Sequence, residues 1–322
     1  MKDQFSRTIN YMRISITDRC NLRCRYCMPQ EIQLLDMKEL LTYQEILQVA
    51  KAAAALGINK IKVTGGEPLV RKNCVQLIRE LKTIEGIDEV TMTSNGVLLD
   101  RYLEDLKEAG LDGINISLDS LDREEYKKIT GSDCLDQVLN NIDLALASGI
   151  KTKINAVLQK DLNHHWQSLV EMAEKKPVDV RFIELMPIGY GKSGYRLDNR
   201  VVMEQLKKQY PRIQKDERVH GNGPAEYLHI PGFCGSIGFI SAVNHKFCET
   251  CNRIRLTSTG MVKPCLCYGD TVDLRKIIRS AKSDTEELVQ ALKRAIQYKP
   301  KEHCFETWAN ITEEKKMSQI GG

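Results

Sequence analysis

The sequence predicts an α/β protein whose parallel sheet is barrel-like or doubly wound, and three observations carry that reading. Six short stretches alternate polar and apolar residues with the period-two phase of a strand that has one buried face. Helical stretches separate them, and strands that alternate with helices pair in parallel through crossover connections. The first four strands run into glycine or polar residues, which suits an active-site face at the carboxyl ends of the strands.

The first strand spans 11–17 and leads directly into a cysteine-rich loop. Thr42 and Glu45 are spaced as a capping box, which starts a helix that runs to about Gly57. Further strands follow at 58–64, 89–94, 113–118, 151–157 and 179–185. Helices fall near 73–83, 99–109, 134–148 and 164–175. The second strand ends in Gly65-Gly66-Glu67-Pro68, the third in Asn95-Gly96 and the fourth in Asp119.

Strand phase says what faces inward. Tyr11, Arg13, Ser15 and Thr17 share one face, as do Lys60, Lys62 and Thr64, then Asn115 and Ser117, then Lys151, Lys153 and Asn155. Helices must cover the apolar faces, so the polar faces line the interior. A filled barrel packs Val, Ile and Leu there, and a cation-rich lining predicts a ligand cavity instead. A sheet with a solvated face is the alternative, disfavoured by helices in every connection. The sixth strand fits less well, because Arg181 shares its face with Ile183 and Leu185. The pattern breaks in a glycine-rich loop near 187–200, which places a boundary between 1–190 and a smaller region, 191–322. Gly191-Lys192-Ser193 in that loop lacks the spacing of a phosphate-binding loop.

Composition is ordinary for a globular enzyme of 322 residues, with 42% hydrophobic and 28% charged residues. A net charge of +4 is mild; it does not suggest a nucleic-acid binder but permits a local basic pocket. No stretch approaches the roughly 20 apolar residues of a membrane span, and the first residues lack an apolar signal core. A cytoplasmic location is expected. In that reducing compartment eleven cysteines suit metal ligation better than disulfides.

Cys20, Cys24 and Cys27 are spaced C-x3-C-x2-C. A structural zinc site takes four protein ligands, whereas a cluster held by three thiolates leaves one iron open. A zinc knuckle or three unrelated buried cysteines are the alternatives. A second trio follows as Cys248-x2-Cys251-x13-Cys265, and Cys267 leaves a four-thiolate zinc site open there. The tight C-x-C chelate of Cys265 and Cys267 argues against zinc. Between these cysteines Arg253 and Arg255 point the same way if the chain is extended. Paired guanidiniums suit a phosphate chain, and a solvated basic strand is the bland alternative.

Together these motifs resemble the radical S-adenosylmethionine superfamily and, within it, the GTP 3′,8-cyclase family of molybdenum cofactor biosynthesis. The likeness runs end to end. It rests on Arg13, Tyr26-Cys-Met-Pro29, Thr64-Gly-Gly-Glu-Pro-Leu69, Thr93-Ser-Asn-Gly96, Asn115–Asp119, Arg181-Phe-Ile-Glu184, Cys248-Glu-Thr-Cys251-Asn-Arg-Ile-Arg-Leu256, Cys265 and Gly321-Gly322. The resemblance implies an incomplete (βα)6 TIM-type barrel with a smaller C-terminal α+β region closing its open side. It implies two 4Fe–4S clusters on the two cysteine trios, the first binding S-adenosylmethionine and the second the guanine end of GTP. Tyr26, Gly66, Ser117 and Met186 match cofactor-contacting positions. Arg13, Lys62, Thr93, Lys153, Arg253 and Arg255 match GTP-contacting positions. Cys267 falls outside the matched ligands, and the Gly-Gly end is expected to insert toward the active site.

The implied reaction forms (8S)-3′,8-cyclo-7,8-dihydroguanosine 5′-triphosphate. The ribose C3′–H is unactivated, so no acid–base side chain is expected to be catalytic, and the radical comes from S-adenosylmethionine. The protein must fix guanine at one end and triphosphate at the other. An external electron donor and a cyclic pyranopterin monophosphate synthase acting on the product are the implied partners, with a homodimer allowed and neither nucleic acid nor membrane expected. A peptide-maturing radical enzyme with an auxiliary cluster would share the first cysteine loop but needs no stacked cations. A non-catalytic zinc or iron–sulfur module would account for the cysteines but not for the polar lumen.

Overall fold

The computed structural model describes residues 1–28, 32–192, 195–280 and 285–321; Pro29, Ser193 and Gly322 of the motifs above lie outside the described residues. Six strands appear where the sequence places them: β1 Tyr11–Ser15, β2 Lys60–Thr64, β3 Glu89–Ser94, β4 Gly113–Ser117, β5 Lys151–Leu158 and β6 Asp179–Glu184. The helices between them are α1 Tyr43–Ala55, α2 Cys74–Lys82, α3 Leu103–Glu108, α4 Arg123–Thr130, α5 Leu135–Ala147 and α6 Gln167–Lys175. The third is shorter than the expected 99–109, because 99–101 forms a single 3-10 turn before it. The start of α1 is the capping box read from sequence. The Glu45 amide donates to Thr42 Oγ1 at 3.2 Å, and the Thr42 amide donates to Glu45 Oε2 at 2.6 Å.

The C-terminal region adds α7 Asn199–Gln209, α8 Leu274–Ile278, α9 Thr285–Gln297 and α10 Met317–Ile320. It also adds six short strands: β7 Gln214–Lys215, β8 Glu226–His229, β9 Ile237–Ile240, β10 Arg253–Leu256, β11 Met261–Lys263 and β12 Val272–Asp273. All join one sheet, in the order β12-β11-β10-β1-β2-β3-β4-β5-β6-β9-β8-β7. The six-stranded parallel unit is the centre of this sheet, and the C-terminal region extends it on both sides. β10 pairs in parallel with β1 and β9 in parallel with β6, so eight strands run in parallel. The physical reason is the edge. A six-stranded open sheet leaves unpaired backbone donors and acceptors on β1 and β6, and the C-terminal region covers both.

The two sheet faces differ as the phase predicts. Met12, Ile14, Ile61, Val63, Val90, Met92, Ile114, Ile116 and Ile154 are fully buried against helices such as α1, through Ile46, Val49 and Ala53. The opposite face carries Arg13, Lys62, Asn115 and Lys153. In β6 the core side is Val180 and Phe182, both fully buried. Arg181 belongs to the polar side despite its apolar neighbours Ile183 and Leu185, which resolves the sixth strand's poor fit.

Candidate active site

The first cysteine loop leaves the carboxyl end of β1. The amides of Cys27 and Met28 both donate to the Cys24 carbonyl, at 2.9 and 2.8 Å, which wraps the loop into a tight turn. The Leu22 amide points at Cys20 Sγ at 3.4 Å, and Asn95 Nδ2 reaches the same sulfur at 3.7 Å. Burial pushes the Cys20 thiol up to about 11 and Cys27 up to about 12. Cys24 is pushed up by burial first, then by Asp119 and by the other two sulfurs. Three soft donors that repel one another when ionised fit a cationic cluster that takes three thiolates. Tyr26 donates to Asp119 Oδ2 at 2.9 Å, and Asp119 Oδ1 accepts from the Val157 amide at 2.7 Å. The loop is thereby tied to the ends of β4 and β5.

Gly65 and Gly66 follow β2 and pack under this loop. A Cβ on Gly66 would lie 2.2 Å from the Arg19 carbonyl oxygen, and one on Gly65 would lie 2.7 Å from that of Thr17. The sequence suggests glycine for the approach of a ligand. In the structure the close neighbour is the chain itself, at the start of the cysteine loop. Glu67 accepts from Ser94 Oγ at 3.0 Å and from the Asn95 amide at 2.7 Å, joining the ends of β2 and β3. Burial pushes its carboxyl up to about 7.

The lumen is cationic. Register places Arg255, Arg13 and Lys62 on one rung across β10, β1 and β2. Thr93, Asn115 and Lys153 form the next, across β3, β4 and β5. Burial, then Arg181 and Arg13, push Lys62 well below its ordinary value. Burial and then Arg13 and Arg253 push Arg255 down as well. Arginine stays protonated in proteins, so the direction marks an electrostatic penalty that a bound anion relieves. Arg181 Nε and Nη2 and Thr93 Oγ1 are buried without a hydrogen-bond partner among the described residues. Lys153 is held by Asp179 at 3.2 Å and by Tyr227 Oη at 3.1 Å.

The second trio sits at the amino end of β10. The Cys251 amide donates to the Cys248 carbonyl at 3.2 Å, and Arg7 Nη1 donates to the same carbonyl at 2.9 Å. Burial pushes the Cys251 thiol up, but Arg253 and Lys299 outweigh it and bring it down to about 6. Lys299, almost fully buried, ties the site together by donating to the carbonyls of Arg253 at 2.8 Å and Pro264 at 2.6 Å. Arg253 and Arg255 alternate with buried Ile254 and Leu256, so the R-x-R pair does share a face. Three thiols with an adjacent guanidinium again fit a three-thiolate cluster.

Residues 14–173 match the radical SAM superfamily model, and residues 178–305 match the Molybdenum Cofactor Synthesis C model. The chain is 44% identical over 324 residues to the GTP 3′,8-cyclase of Clostridium perfringens (strain SM101 / Type A), covering all of both chains. The GTP 3′,8-cyclase of Alkaliphilus oremlandii (strain OhILAs) is 43% identical over 329 residues, again covering both fully. The chain belongs to the GTP 3′,8-cyclase family. Its fold is the radical SAM α/β fold. The crystal structure of Streptococcus suis SuiB bound to S-adenosylmethionine superposes with a TM-score of 0.64 at 14% identity, over 97% of this chain and 78% of that one. Methylornithine synthase superposes with a TM-score of 0.51 at 21% identity, over 64% of each chain. At such identities the likeness is one of fold.

Within the cyclase family frame, the cations matched from sequence share one lumen. Ser117 is half-buried at the end of β4, level with Asn155, and Met186 packs against a small apolar cluster that includes Ile188 and Ile320. Sequence reasoning missed Arg181, Tyr227 and Lys299 as parts of the site. Arg181 had a signal in the family motif, masked by its apolar face-mates. Lys299 had none, being a single lysine far downstream of the cysteines it braces.

Proposed function

We propose that this chain cyclises GTP to (8S)-3′,8-cyclo-7,8-dihydroguanosine 5′-triphosphate, opening molybdenum cofactor biosynthesis. The observation that carries the reading is the rung of Arg255, Arg13 and Lys62 between two three-cysteine sites. Cys20, Cys24 and Cys27 would hold one 4Fe–4S cluster, and Cys248, Cys251 and Cys265 the other. S-adenosylmethionine bound at the first cluster would supply the carbon radical that removes the unactivated ribose hydrogen.

The chain's own residues bind and orient. Arg13, Lys62, Lys153, Arg253 and Arg255, joined by Arg181, offer the triphosphate a preformed set of charged donors at no cost of assembly. Thr93 offers, on the same surface, a hydroxyl without a partner among the described residues. Tyr26, Gly66, Ser117 and Met186 line the S-adenosylmethionine side. Residues 1–190 form the partial-barrel core, and 191–322 carry the second cluster, part of the GTP site and the tail. The external electron donor, the downstream cyclic pyranopterin monophosphate synthase and a homodimer rest on the family resemblance, and a cytoplasmic location rests on the sequence, which has no apolar stretch of membrane length. Among the described residues no helix is long and apolar enough to cross a membrane.

The test is anaerobic single turnover with GTP, S-adenosylmethionine and a strong reductant, read by mass spectrometry. The reading expects a cyclised nucleoside triphosphate isomeric with GTP, formed together with 5′-deoxyadenosine. Cleavage of S-adenosylmethionine with GTP recovered unchanged would sink it.

A further inference from the structure

Five of the eleven cysteines lie outside the two trios, and two of these meet. Cys267 Sγ and Cys304 Sγ are 3.3 Å apart, and the Cys304 amide donates to Cys267 Sγ at 3.4 Å. Cys304 Sγ also reaches the Asn310 carbonyl at 3.2 Å. Cys267 is fully buried, whereas Cys304 is only half-buried and so open to a small reagent. The pair lies at a junction. Cys267 is two residues from Cys265, and with Leu266 it packs against Ile188, Val243, Phe305 and Ile320. One side of the pair is thus the loop that chelates the second cluster. The other is the segment leading to the C-terminus.

We propose that Cys267 and Cys304 are a redox-active dithiol that closes reversibly to a disulfide, restraining the loop that carries Cys265. The oxidant class is a low-molecular-weight disulfide. The Cys304 thiolate attacks one sulfur of that disulfide and expels one thiol, leaving a mixed disulfide on Cys304. The Cys267 thiolate then displaces the second thiol. One protein S–S bond forms and one reagent S–S bond breaks. Two electrons and the two thiol hydrogens pass to the reagent as two thiols. In a reducing compartment the pair rests open, so its closure reports oxidation close to an oxygen-sensitive site. Buried Cys267 is shielded from the reagent, and half-buried Cys304 gives the entry point.

The experiment uses the full chain with both clusters reconstituted anaerobically and equilibrated with graded ratios of oxidised to reduced glutathione. Alkylation and peptide mapping should show Cys267 and Cys304 protected together and their peptides joined, lighter by two hydrogens. Protection should reverse with dithiothreitol and follow a two-electron curve, tenfold in the ratio of forms per about 30 mV. Exposed Cys234 serves as an internal control that takes up glutathione without an internal partner. A chelator should strip iron from the second site at least threefold more slowly in the oxidised wild type than in the reduced form, and Cys304→Ser should abolish the difference. Cys267 and Cys304 both still alkylatable when iron begins to leave, Cys267 joined to Cys265, or equal stripping rates would each overturn the proposal. The wild-type mapping decides the pairing even if the variant folds poorly.

Discussion

Arg13 stands level with Lys62 across the β1–β2 pair and with Arg255 across β1–β10, so three cations share one rung of the sheet. Like charges at this spacing raise the energy of the substrate-free fold, and an anion laid across them recovers it. The arrangement is a cost the protein carries until it binds.

That cost titrates. Burial, Arg181 and Arg13 hold Lys62 well below the ordinary lysine value in the free fold. A bound triphosphate pushes it back up. A group whose value rises on binding holds more protons in the complex, so GTP binding should take up protons. Affinity should then fall as pH rises between the lowered value and the restored one. Calorimetry in buffers of different ionisation enthalpy measures this uptake, and Lys62→Met should remove most of it. Proton release on binding to the wild type would contradict the assignment of Lys62.

Arg181 gives a sharper test, because its two effects have opposite sign. Its Nε and Nη2 lack partners among the described residues, and it sits among Lys62, Lys153 and Arg13. Arg181→Met should weaken GTP binding by about 10- to 100-fold, the loss of a charged hydrogen bond worth about 1.5–3 kcal/mol. The same variant without GTP should melt at a higher temperature than wild type, since one like charge has left the cationic lumen. A purely structural arginine would lower both.

The first trio and the second should load independently. Full reconstitution should give about eight irons per chain, and either Cys24→Ala or Cys251→Ala about half of that. Zinc in place of iron at Cys248, Cys251 and Cys265 after anaerobic preparation would remove the two-cluster reading.

What the sequence reveals and what it hides divide by range. The capping box of Thr42 and Glu45 is local, so it is legible. Strand phase is local too, and it announces the inward face of Arg13, Lys62 and Lys153 before any fold is known. The flanking strands β9 and β10 are only four residues each, and nothing local says that they add to β6 and β1. Arg181 was obscured because a lumen can tolerate Ile183 beside it, so alternation failed as a guide. Gly65 and Gly66 announced a close approach but not its partner, since the Thr17–Arg19 backbone meets them only in the folded sheet. Cys267 reads as a bystander because Cys304, its contact, is distant in the chain.

The tail supplies the last prediction. Gly321 has φ +91°, a conformation that penalises any side chain, and a Cβ there would lie 2.8 Å from Ser15 Cβ and 3.0 Å from Thr64 Cγ2. Its amide donates to the Met317 carbonyl at 2.9 Å, and its own carbonyl accepts from Arg255 Nη1 at 2.9 Å. Ile320, nearly fully buried beside Leu266 and Phe305, anchors the segment one residue earlier. The tail therefore reaches the rung through Arg255. Gly321→Ala must either strain the backbone or push Ser15, and the easier escape is for the tail to withdraw from Arg255. Iron content should stay at the wild-type level, because Gly321 meets Ser15, Thr64, Met317 and Arg255, none of them a cysteine. Cyclised product under anaerobic single turnover should fall at least tenfold, and deletion of Gly321 and Gly322 should do the same. A synthetic peptide copying the last residues should partly rescue the deletion, since the tail binds and orients but does no chemistry. Arg255→Ala should not be rescued by that peptide, because its docking partner is gone. Wild-type yield from the truncated chain would make the tail an ordinary chain end.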